Sequence, residues 1–204
     1  SGGNNVVHAI SSLFGRLSYN YDEKYMLQAT IRRDGSSRFG PSHKYGTFPS
    51  ASVGWNIMNE KFMEGTRNWL SNLKFRASWG KNGNDNIGDF RYTVSTAMGN
   101  NVLFGKDAIK FNGSKANATA NPDLKWETTV TRNFGIDYGF FNGRINGTLD
   151  FSWNTTKDLL MQTNIPSISG YANQYQNFGQ TSNKGFEFTI NADIINNKDF
   201  TLGF

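Results

Sequence analysis

Apolar and polar side chains take turns along this chain with a period of two, and they do so over most of its length. A strand sends successive side chains to opposite faces, so each such run specifies an extended segment with one apolar and one polar face. Leu13, Gly15, Leu17 and Tyr19 alternate with Phe14, Arg16, Ser18 and Asn20; Tyr25, Leu27, Ala29 and Ile31 alternate with Met26, Gln28, Thr30 and Arg32. Runs at residues 50–57, 73–80, 133–140, 144–153 and 185–193 repeat the pattern. Asn142-Gly143, between two of them, supplies the two positive-φ positions of a tight hairpin turn. The predicted class is all-β and antiparallel.

Composition narrows this further. Asn (26) and Gly (22) abound, aromatics reach 15%, and the whole hydrophobic fraction is only 37%, which excludes a helical bundle rich in Leu, Ala and Glu. No stretch approaches 18 consecutive apolar residues, so no transmembrane helix is predicted. The absence of Cys excludes a disulfide framework and a thiolate metal site. Residues 1–5 lack the basic and apolar regions of a signal peptide, and the chain reads as the interior of a longer one. A net charge of +5 and a pI near 9.4 would suit a nucleic acid, yet the basic residues are scattered singly. No nucleic-acid partner is expected.

Two-faced strands fit two solvents. A β-sandwich buries its apolar faces against each other, whereas an outer-membrane barrel turns them to lipid and lines an aqueous lumen with the polar faces. Strands of roughly 10–14 residues around 125–140 and 144–156 exceed the usual 5–6 and match the ~9–11 that cross lipid at a tilt. Connections also alternate: short at residues 21–24, 141–143 and 195–198, long and polar at 34–46, 83–124 and 157–182. Barrels have short periplasmic turns and long extracellular loops. Parity keeps the two kinds on opposite sides, with residues 58–72 an unusually long periplasmic connection. Residues 90–111 can hold two further spanning strands or an extracellular hairpin, since parity admits both. Tyr19, Tyr25, Trp55, Trp79 and Trp153 suit interfacial girdles, although strand propensity alone also explains aromatics there.

Catalytic patterns are missing. His8 and His43 lack a second His or a close carboxylate, so no metal site or cofactor is expected. No G-x-S-x-G, H-E-x-x-H or phosphate-cradling glycine loop occurs. Ser36-Ser37 reads as a polar turn rather than a nucleophile pair, because no base accompanies it. Asp137, Asp150, Glu187 and Asp193 fall on polar strand faces and read as lumen or solvated charges rather than a glycosidase pair. No enzyme is expected.

Several stretches, in order, resemble the SusC-type TonB-dependent transporters of the Bacteroidota outer membrane (the SusC/RagA family). Asp-Gly-Ser-Ser-Arg-Phe-Gly at residues 34–40 is similar to that family's DGSSRFG loop, followed by Phe-Pro-Ser-Ala-Ser-Val-Gly-Trp at 48–55. Leu-Lys-Phe-Arg-Ala-Ser-Trp-Gly at 73–80 with Asn-Gly-Asn at 82–84, and Asn-Pro-Asp-Leu-Lys-Trp-Glu-Thr-Thr at 121–129, follow in the family's order. So do 133–139, 142–144, 156–160, 177–179 and 183–187.

The resemblance implies a 22-stranded barrel of which residues 1–204 would supply about 8–10 strands of a single barrel domain. The plug, the TonB-contacting segment and the remaining strands would lie outside this chain, and the terminal Phe204 would mimic a barrel's assembly signal by coincidence. It further implies active import of an oligosaccharide- or peptide-class nutrient across the outer membrane, outer-membrane lipid around the barrel, a SusD-type surface lipoprotein as lid, and the TonB complex as energy source. Arg38, Phe39, His43 and Lys44 are candidate lid or substrate contacts, with a self-packed loop as the alternative. Tyr171 and Tyr175 are candidate loop aromatics for substrate. Arg16, Arg32, Lys74, Arg76, Asp137, Asp150 and Glu187 are candidate lumen residues. Rival readings are a soluble glycan-binding β-sandwich and a small passive porin.

Overall fold

The computed structural model describes residues 7–104, 109–171, 173–196 and 201–203. Among them, strands β1 (Ile10–Tyr21), β2 (Tyr25–Ser36), β3 (Tyr45–Asn56) and β4 (Leu70–Asn84) follow each other as an antiparallel meander. Next come β5 (Ser95–Phe104), β6 (Ile109–Ala118), β7 (Glu127–Phe140), β8 (Ile145–Lys157), β9 (Leu160–Asn164), β10 (Asn173–Asn177), β11 (Gln180–Asn196) and β12 (Thr201–Gly203). One eight-stranded sheet runs β1-β2-β3-β4-β7-β8-β11-β12, with β5–β6 and β9–β10 as separate two-stranded ribbons.

β4 pairs directly with β7 over fourteen register positions from Leu70↔Phe140 to Asn84↔Glu127. The β5–β6 hairpin is therefore an excursion beyond the sheet, which selects the hairpin over two spanning strands for residues 90–111. β9–β10 forms a second excursion between β8 and β11, on the same side, where the sequence pattern indicated only a long loop.

Register settles which residues share a face. One row crosses the sheet as Asn20, Met26, Gly54, Arg76, Gly135, Asp150 and Glu187. The next row toward the loops is Ser18, Gln28, Ser52, Ser78, Asn133, Ser152 and Gly185. The opposite face carries Leu17, Leu27, Val53, Phe75, Phe134, Phe151, Phe186 and Phe188. Its large side chains stay open, with Leu17 67%, Phe134 58% and Phe188 56% exposed. No second sheet covers that face among the described residues, so the sandwich reading fails: a sandwich would bury these positions.

The connections segregate by length. Turns 21–25 and 140–145 lie at one end, and 36–45, 84–127 and 157–180 at the other. The unusually long connection at 58–72 holds two 3-10 segments, Ile57–Asn59 and Lys61–Thr66; the first packs against β4 with Ile57, Met58 and Leu70 buried, and the second buries no residue. Residues 197 and 198 of the expected turn at 195–198, and Phe204, lie outside the described residues. The Asn142-Gly143 turn is longer than the tight hairpin anticipated. Phe141, Asn142 and Gly143 have φ of 53°, 56° and 83°, Phe141 N–H donates to Trp69 O at 2.7 Å, and pairing ends at Phe140↔Ile145, so the loop holds two more residues than expected. Glycine suits Gly143 because L side chains avoid that φ.

Candidate functional site

The polar face gathers charge at the middle of β4, β7, β8 and β11. Arg76 points across β7 and donates from Nε and Nη2 to Asp137, the shortest contact being 2.7 Å to Oδ1. Its Nη2 also donates to Asp150 Oδ1 on β8 at 3.0 Å. A guanidinium reaches two strands over because the residue directly opposite it is Gly135. A Cβ there would sit 2.6 Å from Asp150 Oδ1 and 2.8 Å from Arg76 Cζ. Glycine at this position is a gap that the bridge fills.

The acids outnumber that one cation. Asp150 stands opposite Glu187 in register, and like charges directly opposite repel across a ladder. Arg76 faces Asp150 from the other side and offsets this, leaving Glu187 exposed. Lys74 is in register with Asp137, yet Arg76 takes that carboxylate. All these groups are partly exposed, so each pair contributes about 0–1 kcal/mol to stability. Their arrangement is a polar surface for something to touch. A concavity of about 710 Å³ lies over it, lined by Asn20, Gln28, Lys74, Arg76, Asp150 and Glu187 among others.

The remaining candidates sit nearer the loops. Arg16, on the same face, is exposed and opposite Thr30. Arg32 donates from Nε to Asp34 Oδ2 at 2.7 Å and lies over the Phe48 ring at 5.9 Å.

At the long-loop end the segment at 34–40 folds into a knot. Ser36, fully buried, donates from Oγ to Asp85 Oδ2 at 2.7 Å, and Arg38 N–H donates back to Ser36 Oγ at 3.2 Å. Arg38 donates to Asp89 Oδ1 at 3.2 Å and to the Asp85 carbonyl at 3.1 Å. Beneath them Phe39, Phe48, Ile87, Leu124 and Trp126 form a small apolar core. Trp126 packs on Phe39 and Phe48 at 5.3 and 5.4 Å between ring centres, and its indole N–H donates to Lys44 O at 3.2 Å. The Phe48 ring lies so close to Gly83 that a Cβ there would overlap it.

Four motifs distant in sequence thus meet in one cluster. Two side chains that lie within the motif stretches 121–129 and 177–179, but were not among the candidate site residues, clamp it. Asn177 donates to the carbonyls of Lys125 and Asp158 at 2.8 and 2.9 Å, and accepts from Lys125 N–H. Glu127 accepts from Asn84 and from Leu160 N–H, both at 3.1 Å. Their place in those stretches is the signal that could have found them, but it does not say which side chain of a stretch makes the contact.

Of the loop candidates, Phe39 is 2% exposed inside this core, and Arg38 is engaged by Asp85 and Asp89. Lys44 is exposed and His43 half-buried. Tyr175 packs against the core with Arg91 over its ring at 4.9 Å. Tyr171, half-buried, stands apart in the loop beyond β9. Among the described residues no group of three or more His, Cys, Asp or Glu is placed to hold a metal ion.

A single-layer antiparallel sheet, apolar and bare on one side, polar on the other, with turns at one end and folded loops at the other, is the wall of a transmembrane β-barrel. The chain belongs to the TonB-dependent receptor family: the profile described as "TonB dependent receptor-like, beta-barrel" matches residues 3–204. It is 43% identical over 199 residues to the TonB-dependent receptor SusC of Bacteroides thetaiotaomicron, covering 95% of this chain and 19% of that protein. It is 41% identical over 196 residues to the TonB-dependent receptor P39 of Formosa agariphila, covering 96% of this chain and 18% of that one. A solved structure, the RagAB peptide importer in its closed-closed state, superposes with a TM-score of 0.83 at 34% identity, covering 95% of this chain and 21% of the other. The chain spans about a fifth of the length of these relatives. It is an outer-membrane β-barrel sequence with one polar and one apolar face.

Proposed function

We propose that this chain is part of the wall of an active importer, which carries a nutrient of the oligosaccharide or peptide class across the outer membrane with energy from the TonB complex. The single observation that carries the reading is the lumen face. It is a continuous polar surface whose centre, Arg76 with Asp137, Asp150 and Glu187, offers donors and acceptors without a nucleophile–base pair, as binding rather than bond-making requires. The names of the relatives support it, since one is a receptor of this class and another a peptide importer.

In this reading the polar strand faces, with Arg16, Arg32 and Lys74 toward their ends, meet a plug inside the barrel and the passing substrate. The loop end, with Arg38, Phe39, His43, Lys44, Tyr171 and Tyr175, is the side on which a SusD-type surface lipoprotein sits. Phe39 and Tyr175 act there by holding the rim in shape, and the more exposed His43, Lys44 and Tyr171 are the contact candidates. Uptake of labelled peptides and oligosaccharides by cells making the full-length protein tests the proposal. Uptake of one class that stops when the proton-motive force is collapsed supports it. Uptake of both classes that continues after collapse refutes it and marks a passive pore.

A further inference from the structure

The lipid face changes chemistry abruptly toward the loop end. Outward positions run apolar from Phe140 to Phe134 on β7, Ile145 to Phe151 on β8 and Ala192 to Phe186 on β11. The next outward positions are Arg132, Trp153 and Lys184, side by side in register. Arg132 Cζ and Lys184 Nζ lie 5.1 and 5.0 Å from the centre of the Trp153 rings. Further toward the loops the same face adds Lys81, level with Val130, and Lys157, level with Thr128. Among the described residues none of these four cations has a carboxylate within 4.0 Å; the ion pair nearest in sequence, Lys125 with Asp158 at 3.1 Å, involves none of them.

A shallow groove of about 600 Å³ crosses the outer surface from β3 to β11 over this row and the next one down, lined by Ala51 and Trp79 level with Arg132, Trp153 and Lys184, and by Val53, Ala77, Phe134 and Phe151 below them. An apolar slot beside cations that form no ion pair, at the edge of the apolar band, matches an amphiphile with a hydrocarbon chain and an anionic head; Asp158, which borders the same surface, is paired with Lys125. The turn end differs: Lys24 pairs with Asp22 at 2.8 Å, and Arg67 and Arg144 donate to backbone carbonyls. Lys61 also stands exposed there, but among the described residues no in-register row of outward cations forms at the turn end.

We propose that the loop-end strip of cations binds a phosphate-bearing lipid of the outer leaflet, with an acyl chain along the groove and the head-group phosphate between Arg132 and Lys184. Lys81 and Lys157 meet further anionic groups of the same head. Basic residues at a membrane surface draw in anionic lipid in this way, by about five-fold in affinity per cation. The proposal rests on the barrel assignment and on the loop end facing the cell surface.

The test uses the full-length protein in nanodiscs of zwitterionic lipid, titrated with a bis-phosphorylated glycolipid, its dephosphorylated counterpart and inorganic phosphate. Binding of the phosphorylated lipid is expected to fall about 25-fold in Arg132→Gln/Lys184→Gln, and to stay unchanged in the turn-end variant Lys61→Gln. Lys81→Gln/Lys157→Gln, above the apolar band, provides a second reading if the first pair fails to assemble, which heat-modifiable migration reveals. Unchanged binding in whichever pairs assemble, or equal affinity for the dephosphorylated lipid, overturns the proposal. Full competition by inorganic phosphate also overturns it, in favour of a free-anion site. Lipid lies on both sides of a nanodisc, so this result is independent of barrel orientation, which the labelling experiment below decides separately.

Discussion

Leu149 sits at the middle of the lipid-facing run of β8, two outward positions from Ile145 and two from Trp153. At about 3.4 Å per residue and a strand tilt near 40°, each end of the run lies about 10 Å away along the membrane normal. An arginine placed at Leu149 cannot carry its guanidinium out over that distance, and neighbours Phe151, Ile136 and Phe188 offer it no acceptor. The expected cost of Leu149→Arg is therefore the full midplane value of roughly 2–4 kcal/mol, about 30- to 700-fold in the folding equilibrium. Phe188→Arg, in the same row, should behave alike. Thr148→Arg and Thr189→Arg, one residue away on the lumen face, should cost much less, because water meets the new charge. The measurement is the assembled fraction of the full-length barrel after refolding into liposomes across a urea series, read by heat-modifiable migration. Equal losses at Leu149 and Thr148 would refute the assignment of the two faces.

Cysteine at Ser42, in the exposed loop after β2, should react with an impermeant thiol reagent on intact cells; labelling only after the outer membrane is broken would reverse the topology. Trp126→Ala should empty the centre of the rim cluster and remove the donor to Lys44, costing about 3–5 kcal/mol locally. Limited proteolysis should then nick the loops while the barrel still migrates as assembled, and unchanged loop protection would show the cluster to be dispensable. Glu60, in the turn-end 3-10 region, accepts hydrogen bonds from Tyr25 O–H at 2.6 Å and Trp55 N–H at 3.2 Å, and these, followed by the charge of nearby Lys24, hold its carboxyl below the ordinary 4.5. Its contribution is complete above that ordinary value and is lost as pH falls through the lowered one. Trp55 emission should report the loss in the native protein below about pH 4.5 and show no such step in Glu60→Gln.

The strands of the wall were legible because a period of two, sustained over whole strands, has no other physical meaning. The pairings within the lumen face were half legible. Arg76, Asp137 and Asp150 fall on the polar face by parity alone, yet their bridge depends on the empty space over Gly135, which only register reveals. The loops resisted for a different reason. Phe39 and Trp126 lie 87 positions apart, so their contact leaves no local periodicity, and a loop aromatic looks the same whether it faces a partner or its own rim. The hairpin β5–β6 was ambiguous because two extra strands preserve the sidedness of everything downstream whether or not they cross. At residues 22 and 23 the turn uses positive φ at Asp22 and Glu23 without a glycine to announce it.

The wall is one residue thick, and that has a consequence for how such a chain changes over generations. In the proposed importer, odd and even positions of each strand are read by different judges, one by the hydrocarbon outside and the other by the cargo inside. A change in one series scarcely touches the other, since side chains on opposite faces share only backbone. In the importer proposed above, the interior could thus be rewritten for a new nutrient while the series that secures insertion is left intact. The joint between the two scripts is the rim, where Phe39, Phe48 and Trp126 answer to each other across three separate segments.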